Sequence, residues 1–295
     1  MIETLATIAK YASLALLTEV RLTPKPGLVD RLTNGAHHDM TFATFLTSIQ
    51  ALQPFFVQYL ETGYHHQGSY TALFAKERVI GRKAEAAMLT ATKGINTHKG
   101  ANFSFAVLLG ATGVYLQKNA RPLPLHAQDS QQILTIAAQM TQQLIQTDLQ
   151  NLTPNTHSSH GEQLYLTHGV AGVRGEAAKG YPALQTLLLP FLRENKHEAT
   201  ASLLLRGLLY LMATIEDSNL LHRGGITAWQ QVRHEAKKIH QKHLPTEELY
   251  DELKRYDCLL TARYLSPGGS ADLLALGIYF SFLEGIIQPS SGQKV

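Results

Sequence analysis

Basic, acidic and glycine residues gather in five short stretches of this chain, and their types point to phosphate and metal chemistry. The stretches are TPKPGLVDRLTNGAHHDM (23–40), GINTHKGANFS (94–104), HGVAGVRGEAAKGYP (168–182), EDSNLLHRGG (216–225) and LSPGGSADLLA (265–275). Lys25 and Arg31 fall in the first, Lys99 follows His98, Arg174 precedes Gly175, and Arg223 precedes a glycine pair. Each can hold phosphate, an arginine through two parallel N–H bonds, although singly each reads as readily as a surface charge. Gly268, Gly269 and Ser270 stand before an apolar run, where close-approaching backbone amides make a phosphate cradle. The plain alternative is a glycine turn with Ser270 as helix cap.

Four of the stretches also carry an acid: Asp39, Glu176, Asp217 and Asp272. Converging carboxylates hold magnesium alongside substrate phosphates. The structural alternatives are specific. Asp39 can cap the helix after Met40, Asp217 can make a local turn with Ser218 and Asn219, and Asp272 suits the first turn of a helix. Repetition of acid, base and glycine together favours the functional reading. His98, between Thr97 and Lys99, lies in a polar turn before an apolar run and is the histidine with most to offer a ligand. His157, His160 and His168 lack zinc spacing, and His65 and His66 read as solvent-facing. Cys258, the single cysteine, allows no intrachain disulfide or thiolate zinc cluster and reads as a core residue in a reducing compartment.

Helices must position these groups. Ile2, Leu5, Ala9, Ala12 and Leu16 recur at three- and four-residue spacing, as do Phe42, Phe45, Ile49 and Leu52; Ile133, Ala137, Met140 and Leu144; and Leu249, Leu253, Tyr256 and Leu260. Strand alternation is scarce. The pattern predicts an all-α protein, one catalytic domain over residues 1–295 with glycine-rich active-site loops, built from roughly ten or more helices of ordinary length. Ser130, Thr246 and Ser270 are the expected caps. A formal charge of +3 without a basic stripe argues against nucleic-acid binding. No apolar run reaches the ~20 residues of a membrane span, and the first residues lack a secretory pattern, so a cytoplasmic location is expected.

At these five stretches the chain resembles the triphosphoribosyl-dephospho-coenzyme A synthase family. The matching text is TEVRLTPKPGLVDRLTNGAHHDM, NTHKGANFS, GVRGEAAKGYP, EDSNLLHRGG and LSPGGSADLLA, in order from about Thr18 to Ala275. His168 and Gly169 stand where the family pattern has tyrosine and glycine, and Tyr115 to Ser159 matches nothing in it. The resemblance implies an all-helical enzyme that joins ATP to 3′-dephospho-coenzyme A and releases adenine. Its product is the precursor of the prosthetic group of citrate lyase or malonate decarboxylase, attached to the acyl carrier protein by a separate transferase.

That reaction implies a role for each residue. Lys25, Arg31, Lys99, Arg174 and Arg223, with Gly268, Gly269 and Ser270, would hold the triphosphate. Asp217 and Asp272, with Asp39 as a third acid, would hold magnesium. Glu176 would take the proton of the attacking ribose hydroxyl or stabilise the ribosyl cation, and His98 would protonate or hydrogen-bond the departing adenine. Two rivals remain at this level. One is a helical metal phosphohydrolase built on His38-Asp39, and the other is a non-enzymatic module that binds coenzyme A or an acyl carrier protein.

Overall fold

A computed structural model describes residues 2–119, 121–150, 152 and 159–289. Among them the chain forms twelve α-helices and two π-helical turns, and no strand. The first helix, α1 (Ile2–Arg21), packs on α2 (Phe42–Tyr64); α2 and α3 (Tyr70–Ala91) pack on α4 (Lys99–Asn119), and α3 and α4 meet α5 (Ala127–Thr141). A π turn (Gln146–Gln150) leads to the short helices α6 (His160–His168) and α7 (Gly172–Ala178). A second π turn (Ala183–Leu188) runs into α8 (Leu189–Glu194), followed by α9 (Thr200–Thr214), α10 (Ser218–Gln241), α11 (Thr246–Ala262) and α12 (Gly268–Leu283).

Helices α4 and α12 carry the core. Both are apolar almost all round, with Phe105, Leu108, Leu109, Tyr279 and Phe280 excluded from water. A helix of that kind is stable only when covered on every side, and each such side chain contributes roughly 1.5–3 kcal/mol when buried. Tyr279 donates to the Thr112 hydroxyl at 3.1 Å and meets the Phe105 ring edge-on, tying the two helices together. Gly63 of α2 lies on the backbone of α4 at Gly110, so closely that a methyl group there would overlap the Gly110 carbonyl. That contact brings the two backbones together at this crossing, while Phe56 and Phe105 pack between the helices further along. The site depends on this geometry, because the N-termini of α4 and α12 both open on one cavity.

The periodic apolar positions behave as read, whereas several boundaries do not. Ser130 lies inside α5, whose cap is His126 with Asp129, and its hydroxyl donates to Glu284 at 2.6 Å. Thr246 is the first residue of α11 and Pro245 takes the cap position. Ser270 is in the first turn of α12, behind Pro267, and Thr41 rather than Asp39 caps α2. Most of the glycine stretches prove to be helix starts and turns rather than loops: Arg223 lies inside α10, which kinks at Gly225 in the left-handed region (φ 72°). Cys258 is exposed on α11, not a core residue. His66 is buried, with Nε2 2.9 Å from the Ser69 carbonyl, while His157 lies outside the described residues.

Candidate active site

The segment between α1 and α2 is held as a compact knot by two acids. Asp30 accepts the Leu32 and Thr33 amides through Oδ1, at 2.7 and 3.0 Å, and the Lys25 amide through Oδ2 at 3.1 Å. Asp257, reaching in from α11, accepts the Gly27 amide at 2.8 Å and the Thr33 hydroxyl at 3.2 Å. Gly27 has φ 70°, a conformation glycine adopts freely, and its Cα faces the Leu265 carbonyl. The two prolines and the hydrogen bonds together fix Lys25 inward, 1 % exposed, with its ammonium on the buried Glu19 carboxylate of α1.

Lys25 borders a cavity of about 1250 Å³ to which all five stretches contribute. His98, Lys99, Arg174, Glu176, Arg223, Gly268, Gly269 and Asp272 also line it. Four of the expected site residues do not. Arg31 is exposed, and Asp39 is 62 % exposed, 3.8 Å from His37. Asp217 and Ser270 are buried behind the lining and bonded to each other.

Asp217 caps α10 and anchors α12. Its Oδ1 accepts the Asn219, Leu220 and Gly269 amides at 3.0, 3.2 and 3.3 Å, and its Oδ2 accepts the Ser270 amide and hydroxyl at 2.8 and 2.9 Å. Burial raises this carboxyl above the ordinary range despite those donors. With both oxygens occupied it is poorly suited to a metal ion. Asp217→Asn is therefore expected to lower stability by about 1–3 kcal/mol in denaturant unfolding, through a lost cap and lost charge-assisted bonds, with the magnesium requirement unchanged. Unchanged unfolding with a raised magnesium requirement would show the opposite role.

Asp272, by contrast, is unengaged. It sits one turn into α12 against Gly100 at the start of α4, where any side chain would collide with its carboxylate. Burial first, then the charges of Glu19 and Asp217, hold its pKa well above the usual range, and no hydrogen bond offsets them. Glu19 is raised by burial too, against the pull of Lys25. Two acids that disfavour each other's charge beside a cavity are suitable chemistry for a hard cation. Among the described residues no group of three or more His, Cys, Asp or Glu side chains is arranged around a metal position.

His98 is neutral. The Thr97 hydroxyl donates to Ser48 Oγ at 2.7 Å, which leaves the single Ser48 proton for His98 Nδ1, also at 2.7 Å. With Ser48 donating to Nδ1, the imidazole proton is assigned to Nε2, which is buried without a partner at the cavity. Burial, and then Lys25, depress its pKa to about 3. His98 can offer a ligand a hydrogen bond but carries no transferable second proton at neutral pH.

Glu176 does not pair with Arg174. Its Oε2 accepts the Ala183 amide at 3.1 Å, and burial raises its pKa, an effect opposed by that amide and by Lys179. Arg174 instead approaches Asp148 at 3.7 Å and Glu162 at 3.5 Å, and Lys99 pairs with Glu85 at 2.7 Å. Arg223 staples the first stretch to the last, donating to the Ala36 and Tyr264 carbonyls at 3.0 and 3.1 Å and to His37 Nδ1 at 3.0 Å. His37 is likewise neutral, its pKa lowered to about 4 by burial and Arg223.

One wall of the cavity was not anticipated. Helix α3 lines it with Phe74, Glu77, Arg78, Gly81, Arg82 and Glu85, a three- and four-residue spacing that is visible in FAKERVIGRKAE once α3 is known to be buried on that side. Glu77 is fully enclosed, neither carboxyl oxygen has a partner, and burial pushes its pKa up to about 9. The folded protein then holds a proton that the unfolded chain loses above about pH 4.5, so this group lowers stability progressively from there to about pH 9. Glu77→Met is expected to raise stability at pH 8 by about 1–3 kcal/mol and to remove that decline, as read by urea unfolding at pH 5 and 8. A Met variant less stable than the parent at pH 8 would contradict this.

The family model described as ATP:dephospho-CoA triphosphoribosyl transferase matches residues 5–290. A relative from Streptococcus mutans serotype c, named "Probable 2-(5''-triphosphoribosyl)-3'-dephosphocoenzyme-A synthase", is 49% identical over 292 residues, covering 97% of this chain and 99% of its own. Relatives of the same name from Streptococcus equi subsp. zooepidemicus (strain H70) and Streptococcus pyogenes serotype M49 are 48% and 46% identical, over 94% and 96% of this chain and 96% and 98% of theirs. No solved structure matches the chain. A match over nearly the full length, in a chain whose five glycine-and-charge stretches meet at one cavity, places this all-helical protein among the transferases: it belongs to the ATP:dephospho-CoA triphosphoribosyl transferase family.

Proposed function

We propose that the protein moves the 5-triphosphoribosyl group of ATP onto the 2′-hydroxyl of 3′-dephospho-coenzyme A. The O2′–C1′ bond forms, the C1′–N9 bond breaks and adenine leaves with its electron pair. Glu176, ionised and bordering the cavity, accepts the hydroxyl proton, and its raised pKa brings it closer to the working pH. His98 donates its unpaired Nε2–H to a ring nitrogen of adenine as negative charge develops there. That neutral hydrogen bond replaces the protonated imidazole considered from sequence.

Arg223 and the first turn of α12 suit the triphosphate, while the charges of Lys25 and Lys99 are engaged with Glu19 and Glu85. Magnesium entering with ATP would be held by Asp272, whose carboxylate has no described partner, rather than by Asp217 or Asp39. It would neutralise and clamp the triphosphate, which stays on the product. The product is suited to a carrier-protein prosthetic-group transferase serving citrate lyase or malonate decarboxylase, and both substrates place the reaction in the cytoplasm. No helix among the described residues is long and apolar enough to cross a membrane.

The observation that carries this reading is the convergence of Glu176, Asp272 and the orphaned His98 Nε2–H on one cavity rimmed by cations. The phosphohydrolase alternative lacks such support, since His38 and Asp39 are exposed and outside the lining. The test is chromatographic. Adenine should appear only when ATP and dephospho-coenzyme A are both present, and phosphate release without adenine would overturn the reading.

A further inference from the structure

The transfer as described leaves the α3 wall without a task. Arg78 and Arg82 lie one turn apart on that wall. Arg78 donates to Asp148 Oδ1 at 2.7 Å, and Arg174 approaches Asp148 Oδ2 at 3.7 Å, so one carboxylate sets two guanidinium groups from different helices on the same rim. Arg82 borders the cavity and makes no described hydrogen bond or ion pair. No described hydrogen bond or ion pair joins this rim to the Arg223–His37 side, whose partners are Ala36, Tyr264, Ser266 and Asp39.

Two polyphosphates must occupy this cavity together. Each is carried on the 5′ carbon of its own ribose, and the reacting atoms lie between them. Their like charges exclude a shared set of cations, so the reaction needs two separate anion positions. We propose that Arg78 and Arg82, with Arg174 aligned through Asp148, bind the diphosphate of the acceptor nucleotide, while the triphosphate of the donor lies on the Arg223 side. The pairing is suited to it: planar guanidinium groups match two adjacent phosphates in bidentate fashion, and Arg82 brings a charge that no protein group yet neutralises. This assignment rests on reading the cavity as a site of triphosphoribosyl transfer between two nucleotides.

Arg82→Ala, which removes no described contact, is the sharpest probe. Calorimetric titration of the intact protein with dephospho-coenzyme A alone and with Mg-ATP alone reads the two positions without turnover. The variant should bind dephospho-coenzyme A about tenfold or more weakly, with Mg-ATP binding within about twofold of the parent, and Arg82→Lys should recover part of the loss. In steady state the KM for dephospho-coenzyme A should rise with kcat nearly unchanged. If Mg-ATP binding weakens instead, or neither ligand responds, the assignment is wrong. Failure of the transfer reading would register differently, as no adenine from the parent protein whatever the titrations show.

Discussion

Glu176→Gln is expected to lower the rate of adenine release by about 10²–10⁴-fold, the usual contribution of a positioned base, with the fold and ATP affinity preserved. Glutamine can still accept the Ala183 amide that holds Glu176 in place, so the substitution removes the base and leaves its support. The pH profile separates chemistry from scaffolding. Burial raises the Glu176 pKa, and a base works only when ionised, so parental activity should fall on the acid side at a pH above the usual carboxylate range. The Gln variant should lack that limb. A depressed rate with the limb intact would move Glu176 from proton acceptor to electrostatic support of the ribosyl cation. Near-parental turnover would remove it from the mechanism.

Lys25→Met should unfold the protein far more readily, by about 3–5 kcal/mol, because it strands the buried Glu19 carboxylate without its counter-charge. For a chain of this size the melting temperature should drop by on the order of 10 °C. Below the unfolded carboxylate pKa Glu19 is protonated in both states and the deficit should be smallest. It should grow once pH passes the raised folded-state pKa of the parent, above which Glu19 ionises beside Lys25 in the parent but resists ionisation in the variant. Adding Glu19→Gln removes the stranded charge and should restore most of the loss. If Lys25→Met instead keeps parental stability and raises only the KM for ATP, the ammonium serves the triphosphate directly.

Lys25 also marks the limit of what could be read from sequence. Its chemical company, two prolines, glycine and charge, identified the stretch, yet its partner Glu19 lies in an apolar helical run where an acid reads as a solvated position. Only packing α1 beside α12 makes Glu19 a neighbour of Asp272. The all-α class and the five stretches themselves were legible because helical period and glycine beside charge are local signals, whereas their meeting at one cavity is a matter of packing. The division of labour among the acids was not. Asp217 and Asp272 have the same residue type in similar motifs, and what separates them is whether backbone amides of α10 and α12 reach the carboxylate. The α3 wall was hidden for a different reason. Arg78, Arg82 and Glu85 at helical spacing describe a water-facing stripe as well as a cavity-facing one, and the partner that decides between them, Asp148, lies about seventy residues away in sequence.

The central claim is that the whole triphosphoribosyl unit moves and adenine alone departs. ATP labelled with ³²P at the γ-phosphate, incubated with the protein, magnesium and dephospho-coenzyme A, tests it in one separation. All of the converted label should migrate with the enlarged coenzyme A product, in amounts equal to the unlabelled adenine released. Label recovered as orthophosphate or pyrophosphate, or product formed with adenine still attached to the donor ribose, would contradict the account.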